Sequence, residues 1–367
     1  MKGNKKNNRK DKSNIREGMF VILLLLLCSV GMTGCEKNKD ENKAENKRES
    51  SIEEQNEESR LDSNVPAVID GEEITKEEAL FYACCQQANY EAYYLLSYQQ
   101  ELQWGNEADE SGETMEEKVK KETQEEIKRK VIFAHKAQEW QIKLTEEEEK
   151  EVGEKVEKFL KESDEKLLER SHANEELVKK IYTRNALYDK VYEKIEEQLE
   201  IEVSQEEVKQ AKITAVELAA NEDREKTKEQ LEKDAAAILK MVKKGKTLKV
   251  AAEAYGYSVT TGNVGKGDMS QNELEQTCLA MKTGEYKILD YLEYVYVLYC
   301  DTDFDEEATK IAKEEMEQEK VEAGVTSQYE EWLKDKDVQW NQSSWEEIRF
   351  DTAIFTIEDV EKVQNKE

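Results

Sequence analysis

Histidine and proline are nearly absent from this chain of 367 residues, which contains two histidines and one proline. His135 and His172 each lie in a charged helical stretch, where a surface or half-buried position is the default interpretation. No histidine occurs after residue 172, so the C-terminal half lacks the side chain that most often acts as a general base. Pro66 stands in residues 65–71, an extended piece that an Asp-Gly turn closes.

Cysteine is limited to six residues, and none of them belongs to a Cys-x-x-Cys motif. Without that spacing the sequence gives no support for a zinc site or a thioredoxin-type redox centre, and we expect neither a metal nor another cofactor. Four cysteines follow the N-terminal segment: Cys84, Cys85, Cys278 and Cys300. A Cys278–Cys300 disulfide is open in an oxidising compartment, although buried free thiols are the favoured interpretation.

Positive charge is in the minority, since 55 Lys and Arg residues face 85 Asp and Glu residues, for a net charge of −30. Nucleic acid is a polyanion whose binding needs a basic surface, so nucleic-acid partners are excluded. An anionic bilayer surface would repel the same body. The favoured interpretation of the acidity is a soluble, highly charged helical surface rather than a device for cationic clients.

One long apolar run interrupts this polar composition near the start of the chain. Residues 19–30 (MFVILLLLLCSV) follow seven Lys and Arg residues and precede the tetrapeptide MTGC, which ends at Cys35. A basic segment, a short apolar run and small residues before a cut are typical of a secretory signal. The run is shorter than the ~20 residues that span a bilayer. The alternative is an uncleaved signal anchor.

The MTGC ending resembles a bacterial lipobox, in which the cysteine is acylated through a thioether and becomes the first residue of the mature protein. The resemblance implies a signal peptide over residues 1–34, lipidation at Cys35, and a body held by lipid at the extracytoplasmic face of the cell membrane. The signal carries seven basic and two acidic residues, so the mature chain carries about −35. Residues 35–64 have no aromatic residue, which predicts a disordered acidic and polar tether about 30 Å long.

Helical periodicity and capping boxes predict a mostly helical domain over residues 65–211. In a capping box a hydroxyl and a glutamate satisfy free backbone N–H groups at a helix start, and the pattern occurs in ITKEE (74–78), LTEEE (144–148) and SQEE (204–207). Narrow apolar stripes indicate an extended, hydrophobically lean bundle. The first helix also carries Tyr82, Tyr90, Tyr93 and Tyr94. Packing against other helices is their favoured interpretation, and binding of unfolded chains is the alternative.

From residue 212 the pattern changes to short strands and helices, which predicts a small α/β domain over residues 212–301 and an α+β fold class. The predicted order is a strand (213–218), two helices (224–244, 248–255), a glycine-rich turn (261–268), a helix that Ser270 and Glu273 begin, and two strands (286–289, 294–300). A C-terminal helix within residues 302–350 should return to the helical body. Residues 351–367 then form a tail.

Three segments of this region resemble the successive signatures of parvulin-type peptidyl-prolyl isomerase domains: KKGKTLKVAAEAY (243–255), GNVGKGDM (262–269) and MKTGE (281–285). Upstream, VIDGEEIT (68–75) and EELVKKIYTRNALY (175–188) resemble the helical chaperone domain of SurA-like and PrsA-like proteins. The resemblance implies an extracytoplasmic foldase lipoprotein. Its SurA-N-like helical body would cradle unfolded or partly folded secreted proteins, and an inserted parvulin-like domain would rotate X-Pro bonds.

The sequence departs from the parvulin pattern at the residues that carry the family's chemistry. Parvulins place a histidine in the first and in the last strand, around an acidic or thiol residue in the glycine-rich turn. Here the last-strand position falls near Val295, the turn position is Asn263, and the first strand has no histidine. These side chains cannot polarise a prolyl amide as a charged cluster would. The residues that could line a proline groove instead, or simply pack in the core, are Tyr255, Tyr257, Met281, Tyr294 and Tyr296.

The leading function is therefore a membrane-anchored chaperone or client-binding scaffold whose isomerase activity is weak or lost. One alternative is an active prolyl isomerase in which tyrosines replace the family's catalytic groups. Another is a ligand-binding lipoprotein that serves a transporter, which would be built of two α/β lobes with many strands. A coiled-coil spacer is disfavoured because no heptad is sustained. The identity of the clients, and whether two chains pair as a homodimer through the helical arms, stay open.

Overall fold

The computed structural model describes residues 65–219, 226–269 and 272–359. The chain divides into two compact units, Met1–Glu197 with Ser327–Glu367, and Gln198–Thr326. We name them the helical unit and the sheet unit. The predicted signal peptide, the tether and Cys35 lie outside the described residues. Within the described ranges, no helix is both long enough and apolar enough to cross a membrane.

Helices and short strands alternate along the chain, and this mixture agrees with the predicted α+β class. The first segment of the helical unit contains β1 (Ala67–Ile69), β2 (Glu72–Ile74), α1 (Lys76–Tyr98), α2 (Met115–Glu139), α3 (Glu146–Glu162), α4 (Glu165–Arg170) and α5 (Glu175–Glu196). The sheet unit contains α6 (Gln205–Val208), β3 (Ala211–Leu218), α7 (Lys228–Val242), α8 (Leu248–Glu253), β4 (Thr260–Val264), α9 (Glu273–Ala280), β5 (Tyr286–Tyr291) and β6 (Tyr294–Thr302). Helix α10 (Glu306–Leu333) starts in the sheet unit and ends in the helical unit, where β7 (Val338–Trp340) and α11 (Gln342–Glu346) follow.

Side-chain caps determine where the helices of the helical unit begin. Each of three threonines accepts a hydrogen bond from the N–H three residues on, while the glutamate at that position accepts one from the threonine N–H: Thr75, Thr114 and Thr145. The capping boxes predicted at Thr75 and Thr145 are thus confirmed, and so is the one predicted at Ser204.

A small sheet in the order β2-β1-β7 belongs to the helical unit. Asp70 and Gly71 form the turn between β1 and β2, with φ of 50° and 83°. Both central residues of a two-residue hairpin turn of this type need positive φ, which Asp and Gly tolerate best. Strand β7 pairs antiparallel with β1, so the chain returns to its starting hairpin after α10.

The core of the helical unit is centred on Phe133 of α2, which is fully buried. Its ring lies 4.4 Å from the ring of Tyr188 on α5 and 5.3 Å from that of Trp332 on α10. Phe159 of α3 is also buried and lies 5.5 Å from Phe81 of α1. The C-terminal end of α10 therefore shares one core with helices from the first segment.

Four antiparallel strands in the order β4-β3-β6-β5 form the sheet of the sheet unit. One face packs against α7 and α8 and the other against α9, and we name them the α7/α8 face and the α9 face. The α7/α8 face presents Val216, Leu218, Val295 and Val297. The α9 face presents Ile213, Val264, Leu289, Leu298 and Cys300. Both faces are apolar because each is covered by helix.

Two predictions between α8 and α9 are wrong. Residues 261–268 are not one turn, because Thr260–Val264 form the edge strand β4 paired with β3. Its β-branched residues favour an extended backbone, and an edge position tolerates Gly262. The N-cap of α9 is Asn272 rather than Ser270, which lies outside the described residues. The Asn272 side chain accepts a hydrogen bond from the Glu275 N–H at 3.0 Å.

The C-terminal helix predicted within residues 302–350 is α10, whereas the tail predicted over residues 351–367 differs from the structure. Helix α10 ends at Leu333, and a strand and a short helix follow it. Residues 351–359 pack into the helical unit, and Ile354 there is fully buried. The described part of the predicted tail is therefore an integral part of the helical unit.

Candidate functional site

The five residues predicted to line a proline groove do not lie together, because the sheet separates them. Tyr255 and Tyr257 pack in the core of the α7/α8 face, whereas Met281 and Tyr296 pack in the core of the α9 face. Tyr294 shares a face with Tyr296, since side chains two apart on a strand point the same way, and their rings are 6.1 Å apart. The α9 face thus keeps three of the five residues.

The two positions where the parvulin pattern expects catalytic groups also lie apart. Val295 is fully buried on the α7/α8 face, in register with Leu218, so it points away from Tyr294 and Tyr296. Asn263 is exposed on the edge strand β4. The Asp305 carboxylate accepts hydrogen bonds from the Ala308 N–H and from the Asn263 side chain. Both bonds lower the pKa of Asp305, and the bond from Ala308 has the larger effect.

One end of the α9 face carries the partly exposed Tyr294 and Tyr296 and the exposed Glu217, and we name these three residues the exposed end of the α9 face. The Tyr296 hydroxyl donates to Glu217 Oε2 at 3.0 Å. Burial, and then this bond to a carboxylate, raise the pKa of Tyr296, so its hydroxyl stays protonated at neutral pH. Such a pair can orient a carbonyl or an amide by hydrogen bonding.

Two thiols lie in the core of the α9 face. Cys278 and Cys300 are both free and buried, the arrangement that the sequence favoured. Burial raises the pKa of Cys278 to about 11 and also raises the pKa of Cys300. The thiolate is the nucleophilic form, so neither residue is suited to nucleophilic catalysis.

An aromatic cluster is exposed at the C-terminal end of α1 in the helical unit. Tyr93, Tyr94 and Tyr98 contact one another with ring separations of 5.2 to 6.0 Å. Tyr93 is 42% exposed and Tyr98 is 55% exposed. A hydrogen bond with Tyr93 raises the pKa of Tyr98, so the Tyr98 hydroxyl stays protonated at neutral pH. We name these three residues the tyrosine cluster.

His135 of α2 holds the β1–β2 hairpin through two carboxylates, a role that the sequence analysis missed. Its Nε2 lies 2.9 Å from Glu72 Oε2 and its Nδ1 lies 3.3 Å from Asp70 Oδ2. Arg184 of α5 donates to Glu72 Oε1 at 2.6 Å, and Lys336 donates to Asp70 Oδ2 at 2.6 Å. We name these five side chains the hairpin clasp. The carboxylates lie 63 and 65 residues away from His135 in sequence, so no local pattern reveals it.

The hairpin clasp makes the stability of the helical unit depend on pH. Hydrogen bonds to Glu72 and then to Asp70 raise the pKa of His135 above its usual value of about 6.5. The stabilisation by protonated His135 is therefore fully present below about pH 6.5 and is lost as the pH rises through the higher folded-state pKa. We expect His135→Gln to lower the free energy of unfolding by about 1–2 kcal/mol at pH 6 and by less at pH 9.

Tryptophan fluorescence during urea unfolding measures this, because all five tryptophans belong to the helical unit. The exposed His172→Gln is the matched control and should show no such pH dependence. An equal loss for His135→Gln at both pH values would contradict a role for the charged imidazole.

No group of three or more His, Cys, Asp or Glu side chains is arranged to hold a metal ion in the part of the chain that the structure describes. The titratable clusters found there, such as the hairpin clasp, are already neutralised by Lys and Arg partners. Two surfaces suited to binding are the tyrosine cluster and the exposed end of the α9 face.

A scan against protein-family models and a search of curated proteins find no match. Among solved structures, the chain is similar to a SurA-like chaperone of Campylobacter jejuni, one of the related proteins PEB4 and Cj1289, with 9% identity and a TM-score of 0.29 over 75% of this chain and 98% of that chain. It is also similar to PrsA from Bacillus subtilis, with 15% identity and a TM-score of 0.22 over 60% of this chain and 88% of that chain. At such TM-scores neither match carries an argument about this chain.

Proposed function

We propose that this protein is a membrane-anchored extracytoplasmic chaperone that binds unfolded or partly folded secreted proteins. The observation that carries the proposal is the tyrosine cluster, an exposed aromatic surface on a body of strongly negative net charge. Contiguous exposed apolar residues are unusual in a soluble domain and generally mark an interaction surface. The lipobox-like MTGC motif at Cys35 supplies the proposed anchor.

Tyrosine suits the capture of many different unfolded chains. Its ring contributes apolar contact area with few rotatable bonds, while its hydroxyl hydrogen-bonds backbone groups that an unfolded client leaves free. The rings of Tyr93, Tyr94 and Tyr98 already contact one another, so little side-chain freedom is lost on binding. Acidic residues elsewhere on the surface keep the client complex soluble.

The sheet unit acts, in this proposal, as a parvulin-like domain without strong catalysis. Support comes from the two positions at which parvulins carry catalytic groups. Val295 is buried in the α7/α8 face, and Asn263 is an exposed amide. The exposed end of the α9 face, with Tyr294 and Tyr296, then serves as a second contact surface for proline-containing segments.

Suppression of client aggregation tests the proposal. We expect the double variant Tyr93→Ser with Tyr98→Ser to need about tenfold more protein for the same suppression, because each aromatic contact contributes about 0.5–1.5 kcal/mol. Both residues are exposed, so the variant should fold normally. The readout is light scattering of a chemically denatured client diluted into the mature protein.

The matched control is Ile311→Ser, because Ile311 of α10 is 47% exposed and belongs neither to the tyrosine cluster nor to the exposed end of the α9 face. It should suppress aggregation as well as the wild type. Equal suppression by the tyrosine double variant, or no suppression by the wild-type protein, would contradict the proposed function.

A further inference from the structure

The segment after α11 runs along α1 and α4 without forming a helix or strand until residue 357. We name residues 348–359 the strap. Its apolar side chains Ile348, Phe350 and Ile354 are at most 3% exposed, and the Phe350 ring packs edge-on against Trp104 with centroids 4.6 Å apart. The residues on either side of these anchors, such as Arg349, Asp351 and Thr352, are exposed.

The N–H groups of the strap are bound by carboxylates of the helical unit. Glu91 of α1 is 2% exposed, and its Oε2 accepts hydrogen bonds from the Ile354 and Phe355 N–H groups, each at 2.8 Å. Its Oε1 accepts from Gln87 at 2.7 Å and from the Trp104 ring N–H at 3.1 Å. Burial nevertheless raises the pKa of Glu91. A buried carboxylate is costly to desolvate and is here committed to the backbone of another segment.

The carbonyl groups of the strap are bound in the same way. Gln87 Nε2 donates to the Thr352 carbonyl at 2.9 Å, and Arg170 of α4 donates to the carbonyls of Thr352 and Arg349. At the far end, Glu101 accepts from the Ile357 N–H at 3.0 Å. These four side chains line a groove, which we name the strap groove: Gln87, Glu91, Glu101 and Arg170.

Recognition in the strap groove depends on the main chain and on a few apolar anchors. Main-chain atoms are common to every polypeptide, so any extended segment with suitably spaced apolar residues offers the same donors, acceptors and anchors. Gln87 is fully buried, and its Oε1 has no hydrogen-bond partner among the described residues, although buried acceptors are normally paired. It is available to one further N–H group.

There is also space beside the strap. A cleft of about 660 Å³ lies between the strap and the helices and is lined by Leu80 of α1, Lys166 and Arg170 of α4, and strap residues including Ile348, Thr352 and Ile354. Its lining also carries charges of both signs, among them Arg349 and Asp351 of the strap. An entering chain would find contact area there before it replaced the strap.

We infer that the strap groove is a binding site for an extended, unfolded polypeptide segment, and that the strap occupies it in the free protein. The inference rests on the proposed function, since it assigns a second client site to the same chaperone. The strap then acts as an internal competitor. The apparent affinity for a client is the intrinsic affinity multiplied by the fraction of molecules in which the strap has left the groove.

Loosening the strap without changing the groove should therefore tighten binding. Asp359 lies on the strap and bonds Lys166 of α4 at 2.7 Å. Although burial opposes ionisation, hydrogen bonds from Lys166 and Thr356 lower the pKa of Asp359 to about 2. Asp359→Asn removes this charge pair. The exposed neighbour Glu358 provides the matched control Glu358→Gln, which changes the net charge equally.

The experiment uses the full mature chain and a fluorescently labelled synthetic peptide with the sequence of residues 348–359. We expect the peptide to bind in an anisotropy titration, to bind about fivefold more tightly to Asp359→Asn, and to bind Glu358→Gln as it binds the wild type. Hydrogen exchange at the amides of Ile354, Phe355 and Ile357 should accelerate as the peptide saturates the protein. Failure of the peptide to bind, equal affinity for the two variants, or binding without faster exchange would overturn the inference.

These outcomes are separable from those that test the proposed function. If suppression of aggregation depends on the tyrosine cluster but hydrogen exchange in the strap does not change with peptide, the chaperone proposal stands and the strap groove is rejected as a client site. If the peptide releases the strap but the protein does not suppress aggregation, the strap groove stands as a peptide-binding site and the chaperone role is rejected.

Discussion

A refolding reaction limited by prolyl isomerisation should run at close to its uncatalysed rate when the mature protein is added in catalytic amount. General acid–base and positioning groups contribute about 10²–10⁴-fold to such catalysis. The exposed end of the α9 face holds Tyr294, Tyr296 and Glu217, and the sheet unit contains no histidine, the side chain that most often acts as a general acid or base. A protease-coupled isomerisation assay checks this, with suppression of aggregation measured in parallel on the same sample.

Three tyrosine variants identify the cause if acceleration is seen. Tyr294→Phe and Tyr296→Phe remove hydroxyls on the α9 face, whereas Tyr299→Phe removes one on the opposite face of the same strand, where the ring stacks on Tyr286 at 4.4 Å. Robust acceleration that Tyr296→Phe abolishes and Tyr299→Phe preserves would contradict the prediction. It would establish that tyrosines have taken over catalysis and that the protein is a working isomerase.

The sequence predicted features whose causes are local. Helices begin after Thr75, Thr145 and Ser204 because the hydroxyl there and the glutamate three residues later both accept hydrogen bonds from backbone N–H groups at the helix start. The Asp70-Gly71 turn follows equally directly from the tolerance of these residues for positive φ. Each signal lies within a few residues of its effect, so a single sequence is enough to read it.

Features that depend on partners far along the chain were missed. Strand β7 has three residues and forms only because β1, some 270 residues earlier, offers a free edge. From the sequence alone Glu91 is an ordinary helical acid, and its partners, residues 354 and 355, lie 263 and 264 positions further along the chain. Short segments with no periodicity of their own gain their structure from tertiary contacts, which composition and spacing do not encode.

The candidate groove shows a second limit of sequence reasoning. Residues 294–296 are contiguous, but alternation along β6 puts Val295 on one face and the tyrosines on the other. Tyr255 and Tyr257, which follow α8, go to the α7/α8 core because their apolar neighbours are there. Assigning a residue type to a site therefore requires the pairing register of the strands, which only the structure supplies.

Replacement of Cys35 should move the protein from the membrane fraction to the soluble fraction, or leave it as the unprocessed precursor. Each buried CH₂ of an acyl chain contributes about 0.8 kcal/mol, and stable anchoring takes two chains or a chain with a basic patch. Without residues 1–34 the chain would carry about −35 and would be repelled by anionic lipid, so no second attraction would replace the lost lipid. Fractionation of cells that express Cys35→Ala, with immunoblotting for size and location, measures this.

Cys28→Ser is the matched control, because Cys28 lies in the apolar run before the proposed cut and would leave with the signal peptide. That variant should be processed and should stay with the membrane like the wild type. A Cys35→Ala protein that is shortened to the mature size and still sediments with membranes would show that something other than acylation of this thiol holds it there. If that occurs, the acidic body itself must contact a membrane partner, since its charge disfavours the lipid surface.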